Sequence, residues 1–246
     1  VLDAADHGAV IANYAEVRAL ATGVSRNAGV TAAEVEDRRT GRRFEIAGRF
    51  WVNATGPWVD SVRALLPGHD GSRTLRLTKG THLILPSVAG RYALLAAIPG
   101  EERVFLTVPW GEFTLLGTTD TDYAGDPAAV QPDAGDTAYL LRALNRILRE
   151  ALRSDQVLGS FAGLRALVYE PGRSPSETTR EYRLHIDPWA ENLISICGGK
   201  LTTARALGEK LVGQISARQE AGTRRAPSGR EVPLPGGHTG PFEPCV

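Results

Sequence analysis

Apolar and polar positions alternate in short runs from Ala9 to Val52. GAVIANYAEV, GVTAAEVED and RRFEIAGRFWV, separated by glycine and charged turns, predict about four strands. RFWVNATGPWVDSVRALL then predicts a buried strand ending at Asn53-Ala-Thr-Gly56, with Pro57 in the first turn of a helix through about Leu66. LRLTKGTHLILP, RYALLAAI, RVFLTVPW and EFTLLGTT predict an antiparallel block with a hairpin turn at Trp110-Gly111. Leu140, Leu141, Leu144, Ile147, Leu148 and Leu152 recur at helical spacing and predict an amphipathic helix over about 133–152. Three strands follow, VLGSFAGLRALVY, EYRLHID and NLISICG, before a helix from Leu201 to about Arg218. The tail from Glu220 to Val246 is rich in glycine and proline, has no period, and reads as a linker. The fold class is α+β, with an antiparallel sheet between two stretches that end in strand-turn-helix units.

Composition changes this picture little. With 42% hydrophobic residues in 246, the chain can bury a sizeable core. Lys+Arg and Asp+Glu both number 28, so no overall field favours nucleic acid or an anionic membrane, and any anion site is local. Cys197 and Cys245 lie in no Cys-x-x-Cys or Cys/His pattern, so neither a metal site nor a disulfide framework is expected. No apolar run approaches the ~18–20 residues of a membrane span, and we expect a soluble chain, at most bound to a membrane surface. Methionine is absent throughout, as expected of an internal piece of a longer protein.

Four short motifs carry candidate chemistry. In ICGGKLTTAR, a glycine pair between a strand and a helix lets backbone approach a ligand, and the helix start offers unpaired N–H groups. A phosphate-binding P-loop would need glycine at Ile194 and Ser or Thr at Leu201, so that reading fails; a tight turn with a solvated lysine remains the alternative. NATGPW places a small-residue turn before a helix, where α/β folds bind nucleotides, although such turns also occur without ligands. In KGTH, Gly80 interrupts a strand next to His82, which is either a general base or a satisfied sheet histidine. Arg165, in an apolar strand, needs an anionic partner. With Arg180 and Lys200 it forms either a fork for a phosphate or carboxylate, or three local ion pairs. GTTDTDYAGDP matches a calcium loop at Gly125 but not at Gln131, so a solvated, capped loop is expected there.

Taken in order, VNATGPWVD, LTKGTHLILP, PWGEFTLLGTTDTDYAGDP, FAGLRAL, TREY and GGKLTTAR resemble the aerobic-type, FAD-dependent glycerol-3-phosphate dehydrogenases, from about Ala9 to the LPGG at 234–237. The resemblance implies an α/β FAD-binding portion (1–72 and 191–219) interleaved with an antiparallel substrate domain (73–190). Residues 220–246 would lead to a further, helical domain. No GxGxxG for the FAD pyrophosphate occurs, so the fold is expected to be incomplete and the isolated chain inactive. The implied reaction moves a hydride from C2 of sn-glycerol 3-phosphate to FAD, giving dihydroxyacetone phosphate, with quinone as the onward acceptor. His82 matches the family's active-site histidine, and Arg165, Arg180 and Lys200 match the cations around substrate and flavin. Val17, Thr55, Gly56 and Trp58 match FAD-binding positions, as do Gly198, Gly199, Lys200, Leu201 and Thr202 beside the isoalloxazine ring. Ala166 and Ala204 depart from the family's usual proline and tyrosine. A cytoplasmic location follows, with attachment to the inner face of the plasma membrane and a homodimer left open. Two alternatives remain: a flavin-dependent amine or amino-acid oxidase of the same fold, or an inactive scaffold.

Overall fold

The computed structural model describes residues 1–23, 29–88, 90–98, 100–101, 103–173, 178–218 and 232–237. After a short helix α1 (Leu2–Asp6), strands β1 (Ala15–Thr22), β2 (Val30–Asp37) and β3 (Arg43–Ala47) form an antiparallel sheet in that order. The first expected strand starts only at Ala15, because Gly8 and Tyr14 take positive φ values of 90° and 58° that break an extended chain. Val30, Ala33 and Val35 of β2 pack with Leu20, Leu66 and Leu193. The chain continues through β4 (Trp51–Asn53), a 3-10 turn (Gly56–Trp58) and α2 (Val59–Arg63).

Six strands make the largest sheet: β5 (Leu75–Pro86), β6 (Leu94–Ala97), β7 (Val104–Trp110), β8 (Phe113–Gly117), β9 (Thr121–Asp122) and, beyond α3 (Ala134–Leu144), β10 (Gly159–Val168). Their order is β10-β5-β8-β7-β6, with β9 paired to β5, and every pairing is antiparallel. Successive side chains of β5 point to opposite faces. Lys79, Thr81, Leu83 and Leu85 face α3, where Leu83 and Leu85 join Phe105, Leu116, Leu140 and Leu144 in the main core. Thr78, His82 and Ile84 occupy the other face, together with Gly80.

Two expectations need correction here. The helix expected over 133–152 ends at Leu144. The Asn145 amide donates to the Leu152 carbonyl at 2.9 Å and accepts from the Leu152 N–H at 2.9 Å, closing a loop that returns Leu148 and Leu152 to the core without helical backbone. The loop after Gly117 is not simply solvated. Thr121 and Asp122 pair with Lys79 and Thr78, Asp122 bonds both Nε and Nη2 of Arg76, and the Tyr123 N–H donates to Leu77 at 2.9 Å.

β11 (Arg183–Ile186) pairs with β12 (Leu193–Cys197) rather than with the large sheet, and β12 runs parallel to β4, giving a third sheet, β11-β12-β4. α4 (Ala204–Arg218) follows. Among the described residues, no helix is long and apolar enough to cross a membrane. The linker expected over 220–246 lies outside the described residues except for 232–237, as does Cys245.

Candidate functional site

Two turns lie side by side because β4 and β12 are parallel neighbours, with Ser195 opposite Asn53. NATG leaves the carboxyl end of β4 and GGK leaves that of β12, the edge at which open α/β sheets bind ligands. Asn53, buried and not singled out in the sequence, ties this edge together. Its amide donates to the Val59 carbonyl at 3.0 Å and to Ser195 Oγ at 3.2 Å, while its carbonyl accepts from Thr55 Oγ1 at 2.6 Å. Beside it, Val17, Thr55 and Trp58 line one cavity of 580 Å³, walled also by Trp51, Val62 and Leu65. Three of the four residues expected to bind FAD in this half of the chain are therefore brought together. The fourth, Gly56, holds the turn at φ 57°.

The GGK turn requires its glycines. Gly198 and Gly199 adopt φ 75° and 96°, and a Cβ on Gly198 would lie 2.9 Å from the Glu181 carbonyl oxygen. Lys200 then starts a 3-10 turn (Leu201–Thr203) that runs into α4, and no side chain caps this start. Leu201 is 93% exposed, Thr202 is exposed, and Lys200 lies 4.0 Å from the Glu181 carboxylate. A glycine turn with uncapped N–H groups on one strand, and on the neighbouring strand a turn whose cavity carries an indole and a hydroxyl, fit a large aromatic cofactor with an anionic portion.

The third group lies on the open face of the large sheet. His82 is directly opposite Phe161 on β10 and Gly117 on β8. Its ring stacks on Phe161, with centroids 5.1 Å apart and planes 8° from parallel. Two residues back, the Arg165 guanidinium crosses the strand over Gly80, where a Cβ would be 2.6 Å from Nη1. Nη1 donates to the Thr119 carbonyl at 3.2 Å and to Asp120 Oδ1 at 3.3 Å, and Nη2 donates to Thr118 Oγ1 at 3.2 Å. The other Asp120 oxygen is 3.7 Å from Nη2 of Arg180. Burial, followed by the Arg165 charge, holds the His82 pKa below its ordinary value, which favours a neutral imidazole.

Of the predicted residues, His82, Arg165 and Arg180 therefore form one cluster, and the ion pair formed by Lys200 is to the residue next to Arg180. Asp120, Gly117, Thr118 and Phe161 belong to this cluster and were not expected in it. Gly117 and Phe161 are visible only through strand register, and Asp120 only once two distant arginines converge on it. Lys79, in the same KGTH motif, points away to Asp133 and Asp136.

A family model described as FAD dependent oxidoreductase matches residues 1–214. The aerobic glycerol-3-phosphate dehydrogenase of Escherichia coli K12 is 35% identical over 207 residues, covering 81% of this chain and 40% of the relative. A D-erythritol 1-phosphate dehydrogenase of Brucella abortus is 34% identical over 209 residues, covering 84% and 41%. Among solved structures, the glycerol-3-phosphate dehydrogenase of Bacillus halodurans, complexed with FAD, superposes with a TM-score of 0.71 at 30% identity, over 87% of this chain and 40% of that one. The chain thus spans less than half the length of these relatives. With the match running through both strand-turn-helix units and the sheet between them, this chain belongs to the FAD dependent oxidoreductase family.

Proposed function

We propose that the full-length protein oxidises sn-glycerol 3-phosphate to dihydroxyacetone phosphate and passes the electrons to a quinone. The observation that carries this reading is the spacing of Arg165 and His82. The guanidinium lies over Gly80, and the imidazole leaves the same face two residues on, about 6.8 Å along an antiparallel strand. That gap suits a phosphoester, one methylene and then a carbinol carbon. Arg165 and Arg180 offer a guanidinium fork to a phosphate dianion. His82, neutral through burial, can accept the proton of the C2 hydroxyl. Phe161 keeps its ring from turning.

Val17, Thr55, Gly56 and Trp58 would hold one end of FAD, and Gly198, Gly199, Lys200, Leu201 and Thr202 the other. When bound, FAD supplies the acceptor for the C2 hydride. The uncapped start of the 3-10 turn and the Lys200 ammonium offset negative charge there. The phosphorylated polyols in the names of two relatives support the phosphate fork. A quinone acceptor is carried by lipid, so this reading includes peripheral contact with a membrane.

The test is steady-state kinetics of the full-length holoenzyme with an artificial dye as acceptor. Glycerol 3-phosphate should exceed glycerol in kcat/KM by on the order of 10³-fold or more, because a site built for a buried polar group rejects the analogue lacking it. Equal rates with glycerol, or faster turnover of glycine, would overturn the assignment.

A further inference from the structure

We propose that Asp120 is a positioning residue for the phosphate site, holding Arg165 and Arg180 together as one fork. This inference rests on the phosphate reading above. Asp120 directly follows Thr118 and Thr119, both of which also hold the Arg165 guanidinium. Its side chain is only 13% exposed, and its two oxygens divide between the arginines, Oδ1 to Arg165 and Oδ2 to Arg180. The arginines come from different places, one from the middle of β10 and the other from the segment before β11. Each repels the other. Burial works against the charge on Arg165, Asp120 opposes it, and the Arg180 and Arg103 charges add to the repulsion.

The consequence is a pair of guanidiniums drawn to one carboxylate, with one net positive charge among the three groups. Arg165 has three partners in the turn that follows β8. Arg180 is 57% exposed and held at 3.7 Å, so losing the carboxylate frees it to turn toward water. Simple charge counting gives the opposite expectation, since deleting an anion beside two cations should tighten binding of a phosphate. The sign of the effect therefore separates a positioning role from a mere local counter-charge.

The experiment uses the full-length holoenzyme and Asp120→Asn, which keeps the volume of the side chain and removes its charge. Inorganic phosphate is titrated calorimetrically, in parallel with KM and kcat for glycerol 3-phosphate. The expected result is phosphate affinity weakened about tenfold, KM raised by a similar factor, and a smaller fall in kcat. Arg180→Ala should weaken phosphate binding comparably, and the double variant should be no weaker than Arg180→Ala alone, because the two residues act as one unit. Asp120→Glu should recover part of the affinity. Unchanged or tighter phosphate binding in Asp120→Asn, or fully additive effects in the double variant, would overturn the proposal. An affinity loss accompanied by a collapse of the unfolding midpoint and no recovery in Asp120→Glu would also count against it. Phosphate titration reads the fork without turnover. Wild-type protein that binds phosphate but does not oxidise glycerol 3-phosphate would refute the substrate assignment and leave the Asp120 inference standing.

Discussion

The His82 ring fills the space that a side chain on Gly117 would need: a Cβ at Gly117 would lie 2.2 Å from Cδ2 and 2.6 Å from Nε2 of the imidazole. The two residues are direct cross-strand partners, so the clash has no route of relief along the strand. Gly117→Ala should push the ring off Phe161 while the sheet stays paired. Because a misplacement of about 1 Å at a reacting group can cost on the order of 10²-fold, turnover is expected to fall by roughly one to two orders of magnitude. The unfolding midpoint should change little. An unaltered turnover rate would mean that the ring is not needed where it stands.

The same burial that Gly117 and Phe161 provide sets a pH dependence. Burial first, and the Arg165 charge second, hold His82 below the ordinary histidine value of 6.5. A base must be neutral, so the acid limb of kcat/KM should lie below about 6.5. Arg165→Gln should move that limb upward as it raises KM. His82→Asn should abolish the limb and lower kcat by on the order of 10²–10⁴-fold. The stability sign follows from the folded pKa lying below the unfolded one. Between the two values the unfolded chain binds the proton more readily, so stability is fully present above the unfolded value and is lost as pH falls through that window to the folded one. A wild-type limb above 6.5, or one that survives in His82→Asn, would remove His82 from the role.

Much of the cluster is legible in the sequence because its signals are local. A glycine inside a strand, as in KGTH, or a glycine pair between a strand and a helix, as in GGK, marks the point where a side chain or backbone comes close. Register is not local. Nothing in KGTH indicates that His82 will meet Gly117 and Phe161, which arrive on strands distant in sequence. Asp120 is hidden for a related reason, because an Asp-rich turn reads as solvated until Arg165 and Arg180 close over it. The helix over 133–152 reads too long because leucine spacing continues past Asn145, and a side chain bonding Leu152 in both directions leaves no trace in hydrophobic periodicity.

Arg63 is fully buried and joins α2 to the residue after β11, with Nε 3.0 Å from Asp187 Oδ2 and Nη2 2.5 Å from Oδ1. Asp60 and Ser72 accept its remaining bonds. Asp187→Ala would leave this buried charge with Asp60 as its carboxylate partner, and breaking such a buried pair costs on the order of 3–5 kcal/mol. Denaturant unfolding checks this, and a loss below about 1 kcal/mol would contradict it. Burial works to raise the Asp187 pKa, but hydrogen bonds from Arg63 and His185 outweigh it and hold the group below 3.8. Its stabilisation is therefore present above the unfolded value and lost as pH falls through the folded one.

Lys79 and His82 share one motif but opposite faces of β5, and their variants should fail in opposite ways. The Lys79 ammonium lies 2.5 Å from Asp133 and 2.7 Å from Asp136, and Thr81 Oγ1 donates to Asp136 at 2.8 Å. Both acids also form the capping box at the start of α3, so this one lysine fastens the helix start to the strand. Burial opposes the Lys79 charge, yet the bonds to Asp133 and Asp136 outweigh it and raise its pKa. Lys79→Met keeps the apolar stem and removes the charge, leaving Asp136 buried without its cation. A loss on the order of 3 kcal/mol is expected, at the lower end for a broken buried pair because Asp133 is exposed. The kcat of the folded fraction should stay within a few-fold of wild type, since nothing on the open face has changed. His82→Asn should show the reverse, low kcat with a nearly unaltered midpoint. If Lys79→Met instead raised KM for glycerol 3-phosphate at an unchanged midpoint, the lysine would face the substrate, and the assignment of the two faces of β5 would fall.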